Sequence, residues 1–248
     1  MLDHIQFTTP PQPIPAPAGD EIHIWRAELT RWLHLVSKME PLLSKDERAR
    51  VAKFRSQPVR TRWILTRGIL RTILGSYLQV DPVDVQIDYG PLGKPYLAAN
   101  PPGLEFNISH TDDLVLCAVS TGISVGIDIE VERSKKESDK YVARYFPDND
   151  KNWFMQIPSA ERKRVFLQWW TLEEAYQKAR GDGLTIPMKN ISIQSVTKSG
   201  PVALKDGKDI WYLQKLLFDP HYLSALAAQG PVKAYRFWDW VAPKSRLR

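Results

Sequence analysis

Residues 123–131 read Ile-Ser-Val-Gly-Ile-Asp-Ile-Glu-Val, and apolar side chains occupy every second position. The alternation predicts a β-strand, because successive side chains of a strand point to opposite faces of a sheet. Asp128 and Glu130 therefore share one face, about 6.5–7 Å apart along the backbone. Two neighbouring carboxylates repel each other unless a cation lies between them, so the pair suits a hard divalent ion. The alternative is an ordinary solvated outer face, which alternation by itself favours.

A helix carrying a third carboxylate follows in the chain. Between Ser159 and Arg180, apolar residues recur at spacings of three and four, at Val165, Phe166, Trp169, Leu172, Tyr176 and Ala179. This spacing predicts a helix with one apolar stripe, ended by Gly181-Asp-Gly183. Glu174 and Lys178 are four residues apart and share a face of that helix, where an ordinary surface ion pair is the alternative interpretation.

The rest of the chain predicts a mixture of helices and strands. Ser44-Lys-Asp-Glu47 is a capping box that opens a helix to about Phe54, and a second helix runs over about 59–74 and ends at Gly75. Thr8–Gly19 is rich in proline and is expected to be extended. Strands are predicted near 22–25, 85–89, 104–109, 114–120, 191–194, 210–218, 222–228 and 233–240.

Composition excludes several classes of protein. The 248 residues contain no apolar run long enough to span a bilayer, and the N-terminus lacks the features of a signal peptide. Cys117 is the single cysteine, so no internal disulfide forms, and a reducing cytoplasm is expected. The net charge of +6 favours an acidic partner. Nucleic acid is one candidate, but no nucleic-acid motif accompanies the charge, so a phosphorylated cofactor with an acidic protein fits equally well.

The two acidic segments together carry a resemblance to a known family. Gly126-Ile-Asp128-Ile-Glu130, followed by Trp170-Thr-x-x-Glu174-Ala-x-x-Lys178, resembles the paired signature of the 4'-phosphopantetheinyl transferases. The larger, surfactin-synthetase-activating type is the better match in length. Three further stretches agree in family order: Arg60-x-Arg62 with Arg67-Gly-Ile-Leu-Arg71, then Gly93-Lys94-Pro95, then Phe106-Asn107-Ile108-Ser109-His110.

The resemblance implies an α+β fold with two similar α/β halves related by pseudo-twofold symmetry and an active site in the cleft between them. We expect a proline-rich extension over 1–20, an N-terminal half over 21–122 and a C-terminal half over 123–248. Leu114–Ser120 and Tyr222–Ala228 hold comparable places in the two halves, a weak sign of internal duplication.

The reaction implied by the family is transfer of the phosphopantetheine arm of coenzyme A to a serine of an apo carrier protein, releasing adenosine 3',5'-bisphosphate. The resemblance implies that Asp128, Glu130 and Glu174 bind Mg²⁺, with Mn²⁺ as an alternative. It also implies that Glu174 accepts the serine proton, directly or through metal-bound water, and that Lys178 stabilises charge on the pyrophosphate. Together, Asp128, Glu174 and Lys178 are the expected catalytic residues.

Other residues match family positions that contact the two substrates. Lys94, Ser109, His110, Arg62 and, less distinctively, Arg50 match positions that bind coenzyme A, together with Lys178. A plain turn lysine is the alternative for Lys94, and a solvated helix face is the alternative for the arginines. Ser109 and His110 are not expected to form a hydrolytic dyad, because adjacent strand residues face opposite ways.

The helix near residue 141 matches one that contacts the carrier. Tyr141, Arg144, Tyr145 and Phe146 are therefore the expected contact residues, with a core helix as the alternative. We expect a monomer that binds neither nucleic acid nor membrane.

Two residues depart from the family pattern. Glu173 and Glu47 stand where relatives often have lysine. Glu173 is expected to point away from the metal, because a helix turns about 100° per residue, so Glu173→Lys should change turnover only a few-fold.

Two functions of other classes are also compatible with these residues. One is a metal-dependent phosphohydrolase of nucleotides or nucleic acid, which could use three carboxylates and a lysine. The other is a non-catalytic module that binds coenzyme A or a carrier.

Overall fold

The computed structural model of the protein describes residues 5–98, 103–133, 138–181, 191–197 and 200–243. The α-helices in this part of the chain are α1 (Val36–Met39), α2 (Lys45–Val51), α3 (Gln57–Leu78), α4 (Ser138–Tyr145), α5 (Asp148–Gln156) and α6 (Ser159–Arg180). The strands are β1 (Glu21–Glu28), β2 (Ile87–Tyr89), β3 (Pro95–Leu97), β4 (Leu104–Thr111), β5 (Leu114–Thr121), β6 (Val125–Val131), β7 (Val202–Asp206), β8 (Asp209–Lys215), β9 (Tyr222–Gln229) and β10 (Ala234–Asp239). Short 3₁₀ helices cover Leu29–Leu35, Glu40–Leu42, Pro82–Asp84 and Ile193–Thr197.

The strands form two four-stranded sheets and one hairpin. The first sheet has the order β10-β1-β5-β4, the second has the order β6-β9-β8-β7, and β2 pairs with β3. All pairs are antiparallel except β1 with β10, which run parallel. The fold is therefore α+β, as expected.

The two sheets and the two long helices pack as four layers. Helix α3 covers the outer face of the first sheet, where Cys117 and Val119 of β5 are buried. Alternate residues of the same strand, such as Leu116, face the second sheet and pack there against Ile127 of β6. The other face of the second sheet packs on α6. Strand β5 is buried on both faces, which explains why its sequence is an unbroken apolar run.

The two 22-residue helices end differently from each other. Helix α6 covers the predicted range and ends at Gly181, whose φ of 80° is left-handed, whereas Gly183 lies outside the described residues. The predicted end of α3 at Gly75 is wrong. The helix continues to Leu78, and Gln79 adopts the left-handed conformation. A Cβ at position 75 would lie 2.9 Å from the carbonyl oxygen of Val80, so this glycine permits a close approach of the chain.

Other sequence expectations are partly met. The capping box is confirmed, since Ser44 Oγ accepts from the Glu47 amide and Glu47 accepts from the Ser44 amide, but α2 ends at Val51. The strand predicted at 191–194 is wrong, because this region enters a 3₁₀ helix. Helices α1 and α5 and the short strands β3 and β7 were not predicted. No described helix is both long and apolar enough to traverse a bilayer.

The last strand crosses the expected boundary between the halves. Although β10 comes after residue 123 in the chain, Ala234 pairs with Glu21 and Trp238 with Trp25, so β10 forms one edge of the first sheet. The chain near Thr8 also bridges to Trp238. The two sheets are thus not divided at a single point of the sequence.

Candidate active site

The edge strands of the two large sheets, β4 and β6, lie side by side. Asn107 of β4 is buried, and its Oδ1 accepts a hydrogen bond from the amide of Ile127 in β6 at 2.9 Å. The Asn107 side chain accepts the hydrogen bond that the carbonyl of a neighbouring strand would otherwise accept, so the buried amide of Ile127 at the sheet edge is satisfied. The bond fixes the register in which the polar residues of β4 face those of β6.

Four polar side chains meet at this seam. Lys178 Nζ donates to Asp128 Oδ1 at 2.5 Å and to Ser109 Oγ at 3.1 Å, and it lies 3.6 Å from Glu174 Oε2. Ser109 Oγ donates in turn to Asp128 Oδ1 at 2.9 Å. Asp128 is only 2% exposed. The structure therefore gathers Asp128, Glu174 and Lys178 at one point, together with Ser109 from the opposite half.

A glycine sets the distance between β6 and α6. A Cβ built at Gly126 would lie 2.0 Å from the carbonyl oxygen of Ala175 and 2.4 Å from the amide nitrogen of Ala179. No side chain fits there without moving the helix. The close contact lets Lys178 reach the carboxylate of Asp128, two residues along the strand from Gly126.

The charge of Lys178 is favoured by its neighbours. Burial acts to lower the pKa of Lys178, but the negative charges of Asp128 and Glu174 outweigh it and leave the pKa above its ordinary value. The charge of Glu130 acts in the same direction. Lys178 is therefore cationic at neutral pH, and Glu130 is close enough to influence it.

The carboxylates meet part of the requirement for a metal ion. Asp128 Oδ2 is buried and accepts no hydrogen bond within the described part of the chain, which is costly for a charged oxygen unless a cation balances it. The donor set Asp128, Glu130 and Glu174 consists of hard oxygens, which Mg²⁺ prefers. However, the described residues include no group of three acidic, histidine or cysteine side chains already positioned to hold an ion. Two of the three expected ligands converge, and they converge on Lys178.

A pocket of about 230 Å³ opens beside this cluster. It lies between the β2–β3 turn and the C-terminal end of α6. Its lining comes from both halves of the chain, namely Leu92, Gly93, Lys94, Pro95, Asn107, Ile108, Glu174, Gln177, Lys178 and Gly181. A ligand in this pocket would contact the predicted Gly-Lys-Pro turn and the predicted catalytic helix together.

Lys94 spans the pocket to reach α6. Its Nζ donates to the carbonyl oxygen of Ala179 at 2.6 Å, and its side chain passes over Gly181. A cation suits the negative end of a helix dipole. Burial lowers the pKa of Lys94, and the charge of Glu105 partly offsets this. The ammonium has three donors, so this bond leaves it able to bind an anion as well.

Ser109 and His110 face opposite sides of β4, as expected. Ser109 is buried at the cluster, whereas His110 is exposed. Although the side chain of His110 is exposed, the surrounding atoms desolvate its ring in part, and this together with the positive charges of Lys178 and Arg67 lowers its pKa. The imidazole is therefore near two cations, in a position suited to an anionic ligand.

The two arginines expected to bind coenzyme A have partners within the protein. Arg62 forms two hydrogen bonds to the carboxylate of Asp113, at 2.6 and 3.4 Å. The guanidinium of Arg50 lies 5.8 Å from the centre of the Trp63 ring. Neither residue lines the pocket beside Lys178.

Glu47 has a structural partner that the sequence did not reveal. Its carboxylate is buried and accepts from Arg71 Nε at 2.7 Å, while Arg71 also donates to the carbonyls of Pro82 and Val85. Arg67 Nε lies 3.6 Å from Glu47 Oε1, and the Arg67 guanidinium also donates to the Tyr89 hydroxyl. A fully buried arginine needs such an anion, so Glu47 joins α2 to α3 instead of lining a phosphate site. The Arg-rich helix pattern was the available signal.

Glu173 lies apart from the cluster around Lys178. It is fully buried, and its Oε1 accepts from the amide of Ile191 at 3.1 Å. Trp169, one turn earlier, donates its indole N–H to the carbonyl of Ile191 at 2.8 Å. Glu173 thus holds the chain that follows α6 after residue 190.

The expected carrier-contact residues divide into buried and exposed ones. Phe146 is buried, with its ring 4.4 Å from that of Trp169, and Tyr141 is half-buried. Tyr145 is 44% exposed, and the guanidinium of Arg144 lies 5.1 Å from the centre of its ring. Of the four residues, Arg144 and Tyr145 offer surface to a partner.

Comparisons with known proteins agree on one family. A model described as the 4'-phosphopantetheinyl transferase superfamily matches residues 124–228, and one described as 4'-phosphopantetheinyl transferase, N-terminal, matches residues 23–122. The 4'-phosphopantetheinyl transferase HetI of Nostoc sp. is 34% identical over 242 residues, covering 97% of this chain and 100% of the relative.

Two more distant relatives carry the same description. A phosphopantetheinyl transferase of Thraustochytrium sp. is 30% identical over 229 residues, with 83% and 78% of the two chains covered. The 4'-phosphopantetheinyl transferase Sfp of Bacillus subtilis is 26% identical over 191 residues, with 76% and 83% covered.

Proposed function

This chain belongs to the 4'-phosphopantetheinyl transferase superfamily, and from this we propose a metal-dependent transfer in which coenzyme A donates its phosphopantetheine arm to a serine of an apo carrier protein. The serine oxygen attacks the phosphorus that bears the pantetheine arm. The bond from that phosphorus to the oxygen of the adenosine 5'-phosphate breaks, and adenosine 3',5'-bisphosphate leaves. The observation that carries the proposal is the convergence of Asp128, Glu174, Ser109 and Lys178 beside a pocket.

Glu174 and Lys178 have complementary roles in this reaction. Glu174 accepts the proton of the serine hydroxyl, because a carboxylate at the pocket can act as general base. Lys178 donates hydrogen bonds to the pyrophosphate and stabilises the negative charge that develops on the leaving group. Their spacing of one helical turn supports this division, since both side chains line the same pocket.

Asp128, Glu130 and Glu174 are the proposed ligands of a divalent ion. When bound, the ion neutralises part of the charge of the pyrophosphate. The buried Oδ2 of Asp128 and the all-oxygen donor set support Mg²⁺, with Mn²⁺ as the alternative.

Coenzyme A is proposed to lie between the halves, in contact with Lys94, Ser109, His110 and Lys178. Lys94 and Lys178 flank the pocket, and His110 lies near the positive charges of Lys178 and Arg67. Arg50 and Arg62 are proposed to contribute at the outer end of the cofactor, where a phosphate would compete with Asp113 for Arg62.

We also propose that the halves are related by a pseudo-twofold axis, with the site in the cleft between them. Each half contributes a 22-residue helix that covers a four-stranded sheet, although the first sheet takes its edge strand β10 from the C-terminal half, and the site forms where edge strands β4 and β6 meet. For the carrier, Arg144 and Tyr145 provide an exposed basic and aromatic surface that suits an acidic, amphipathic partner.

The test is transfer of the arm to a carrier. Purified protein is incubated with coenzyme A, Mg²⁺ and an apo carrier, and the carrier is examined by intact-mass spectrometry. We expect a mass gain equal to one phosphopantetheine group. Alanine at Asp128 or Glu174 should lower the rate about a hundredfold or more, and alanine at Lys178 about 10²–10³-fold, as for other groups that act on transition-state charge.

Lys233→Ala provides a matched control. Lys233 is exposed and pairs with Asp20 outside the pocket, so its removal should leave the rate unchanged. Phosphate release from coenzyme A without any carrier modification would contradict the proposal and favour a hydrolase.

A further inference from the structure

The Lys178 ammonium lies among the oxygens that the proposed function assigns to a metal ion. It is 2.5 Å from Asp128 Oδ1, 3.1 Å from Ser109 Oγ and 3.6 Å from Glu174 Oε2. An ammonium has three donors, and here three oxygens surround it. Lys178 thus already acts as a counter-cation for two of the three expected ligands.

Resting on the proposed function, we propose that Lys178 competes with the divalent ion for the carboxylates of Asp128 and Glu174, so that tight metal binding requires coenzyme A. Both cations draw on the same negative charge. An ion bound to those oxygens would stand close to the ammonium, and two like charges at such a distance repel each other strongly. The ion therefore gains less from the carboxylates while Lys178 remains between them.

The side chain of Lys178 is able to leave this position. It is 30% exposed, whereas that of Asp128 is 3% exposed, and it lines the pocket. Lysine has a flexible aliphatic stem and lacks the rigid planar guanidinium of arginine, so its ammonium can change partners by rotation of the side chain. A pyrophosphate in the pocket offers it a new anionic partner within reach.

Movement of Lys178 to the pyrophosphate couples the two ligands. Coenzyme A removes the competing cation from the carboxylates, and the ion then binds them more tightly. By thermodynamic reciprocity, the ion raises the affinity for coenzyme A by the same factor. Lys178 is in this way a residue that orders loading of the site, in addition to its role in transfer.

The test measures metal affinity with no carrier present, using Mn²⁺ as the probe. Mn²⁺ binding to wild type and to Lys178→Met is followed by electron paramagnetic resonance, with and without coenzyme A, and corrected for Mn²⁺ bound by coenzyme A alone. Without coenzyme A, we expect the variant to bind Mn²⁺ at least tenfold more tightly than wild type. Coenzyme A should tighten binding to wild type by a similar factor and change binding to the variant little.

Lys94→Met is the matched control for loss of a positive charge in the same pocket. Lys94 donates to the backbone carbonyl of Ala179 and to neither carboxylate, so this variant should remain within about threefold of wild type in Mn²⁺ affinity. Glu174→Gln should weaken Mn²⁺ binding, which would identify the site being titrated.

Equal or weaker Mn²⁺ binding by Lys178→Met would overturn the inference. Circular dichroism checks that the variant is folded, and Lys178→Gln replaces it if it is not. The transfer assay on wild type is independent of this result. If wild type transfers the arm but Lys178→Met binds Mn²⁺ no more tightly than wild type, only this inference fails. If wild type transfers no arm, the proposed function fails.

Discussion

Gly126 shows how one missing side chain shapes the site. Asp128, Glu174 and Lys178 are near each other because α6 approaches β6 to within the distance that a Cβ would need. The motif around Asp128 and Glu130 predicted the acidic residues, and the structure explains the glycine that precedes them. A glycine with an ordinary φ gives no sign of this in sequence, since close approach depends on a partner far along the chain.

We predict that Gly126→Ala displaces α6 and damages both stability and transfer. The added methyl would contact the backbone of Ala175 and Ala179, which cannot move independently of the helix. Overpacking of this kind costs about 1–3 kcal/mol. Urea unfolding should show the loss of stability, and the transfer rate should fall by more than tenfold.

Gly19→Ala is the control for this substitution. No atom lies within 4 Å of a Cβ built at Gly19, so the variant should unfold and react like wild type. A Gly126→Ala protein with unchanged stability and rate would show that α6 does not need this contact.

At the scale of elements, α6 positions both the site and the segment after residue 190. Its face toward β6 carries Glu174 and Lys178, while Trp169 and Glu173 hold both backbone groups of Ile191. Asp150 of α5 holds the same segment through the Ser192 hydroxyl at 2.6 Å. This polar anchor explains why a 3₁₀ helix forms where apolar residues suggested a strand.

The anchor adds a cost in stability to Glu173→Lys, a substitution expected to change turnover only a few-fold. A lysine there would place a positive charge in the protein interior. It could not accept the hydrogen bond that the Ile191 amide donates to Glu173 Oε1. We predict a loss of about 3 kcal/mol in the free energy of unfolding, measured by urea titration. Glu173→Gln keeps an acceptor for the Ile191 amide and should lose less than half as much. Equal stability of the lysine variant and wild type would contradict the assigned anchor.

Local sequence patterns predicted most of the helices and strands. Period-two and helical spacing located β6 and α6, and the family resemblance selected Asp128, Glu174 and Lys178, which the structure brings together. The sequence does not predict that Glu47 pairs with Arg71 or that Glu173 accepts a hydrogen bond from the Ile191 amide. A buried charged residue can be assigned such a role only when its partner is known. The position of β10 was equally hidden, since parallel pairing with β1 leaves no local pattern.

Across the whole molecule, His23 joins three elements of the first sheet's layer. Its ring lies 4.3 Å from that of Trp238 in β10, and its Nδ1 is 2.7 Å from the hydroxyl of Tyr77 in α3. Burial lowers the pKa of His23 to about 4, although the charge of Glu21 opposes the shift. The imidazole is thus neutral in the folded protein at physiological pH.

We predict that His23 makes stability fall in mild acid. Its pKa is about 4 when folded and about 6.5 when unfolded, so below pH 6.5 the unfolded chain binds the proton more readily. This contribution is complete above pH 6.5 and is lost as the pH falls toward 4. Urea unfolding of wild type at pH 7 and pH 5 should show a larger loss than in His23→Gln. An identical loss in both proteins would indicate that other groups cause it.

Because β1 pairs with β10, one edge of β1 stays unpaired until almost the whole chain has been synthesised. The ribosome makes Glu21 long before Ala234, its neighbour in the sheet, so one border of β1 lacks its backbone partners during most of translation. Such a border can associate with other nascent chains. The proline-rich segment near Thr8 cannot pair with Trp238 in that interval either, because Trp238 has not yet been synthesised. Production of this protein should therefore depend on how quickly the nascent polypeptide is completed or shielded by chaperones.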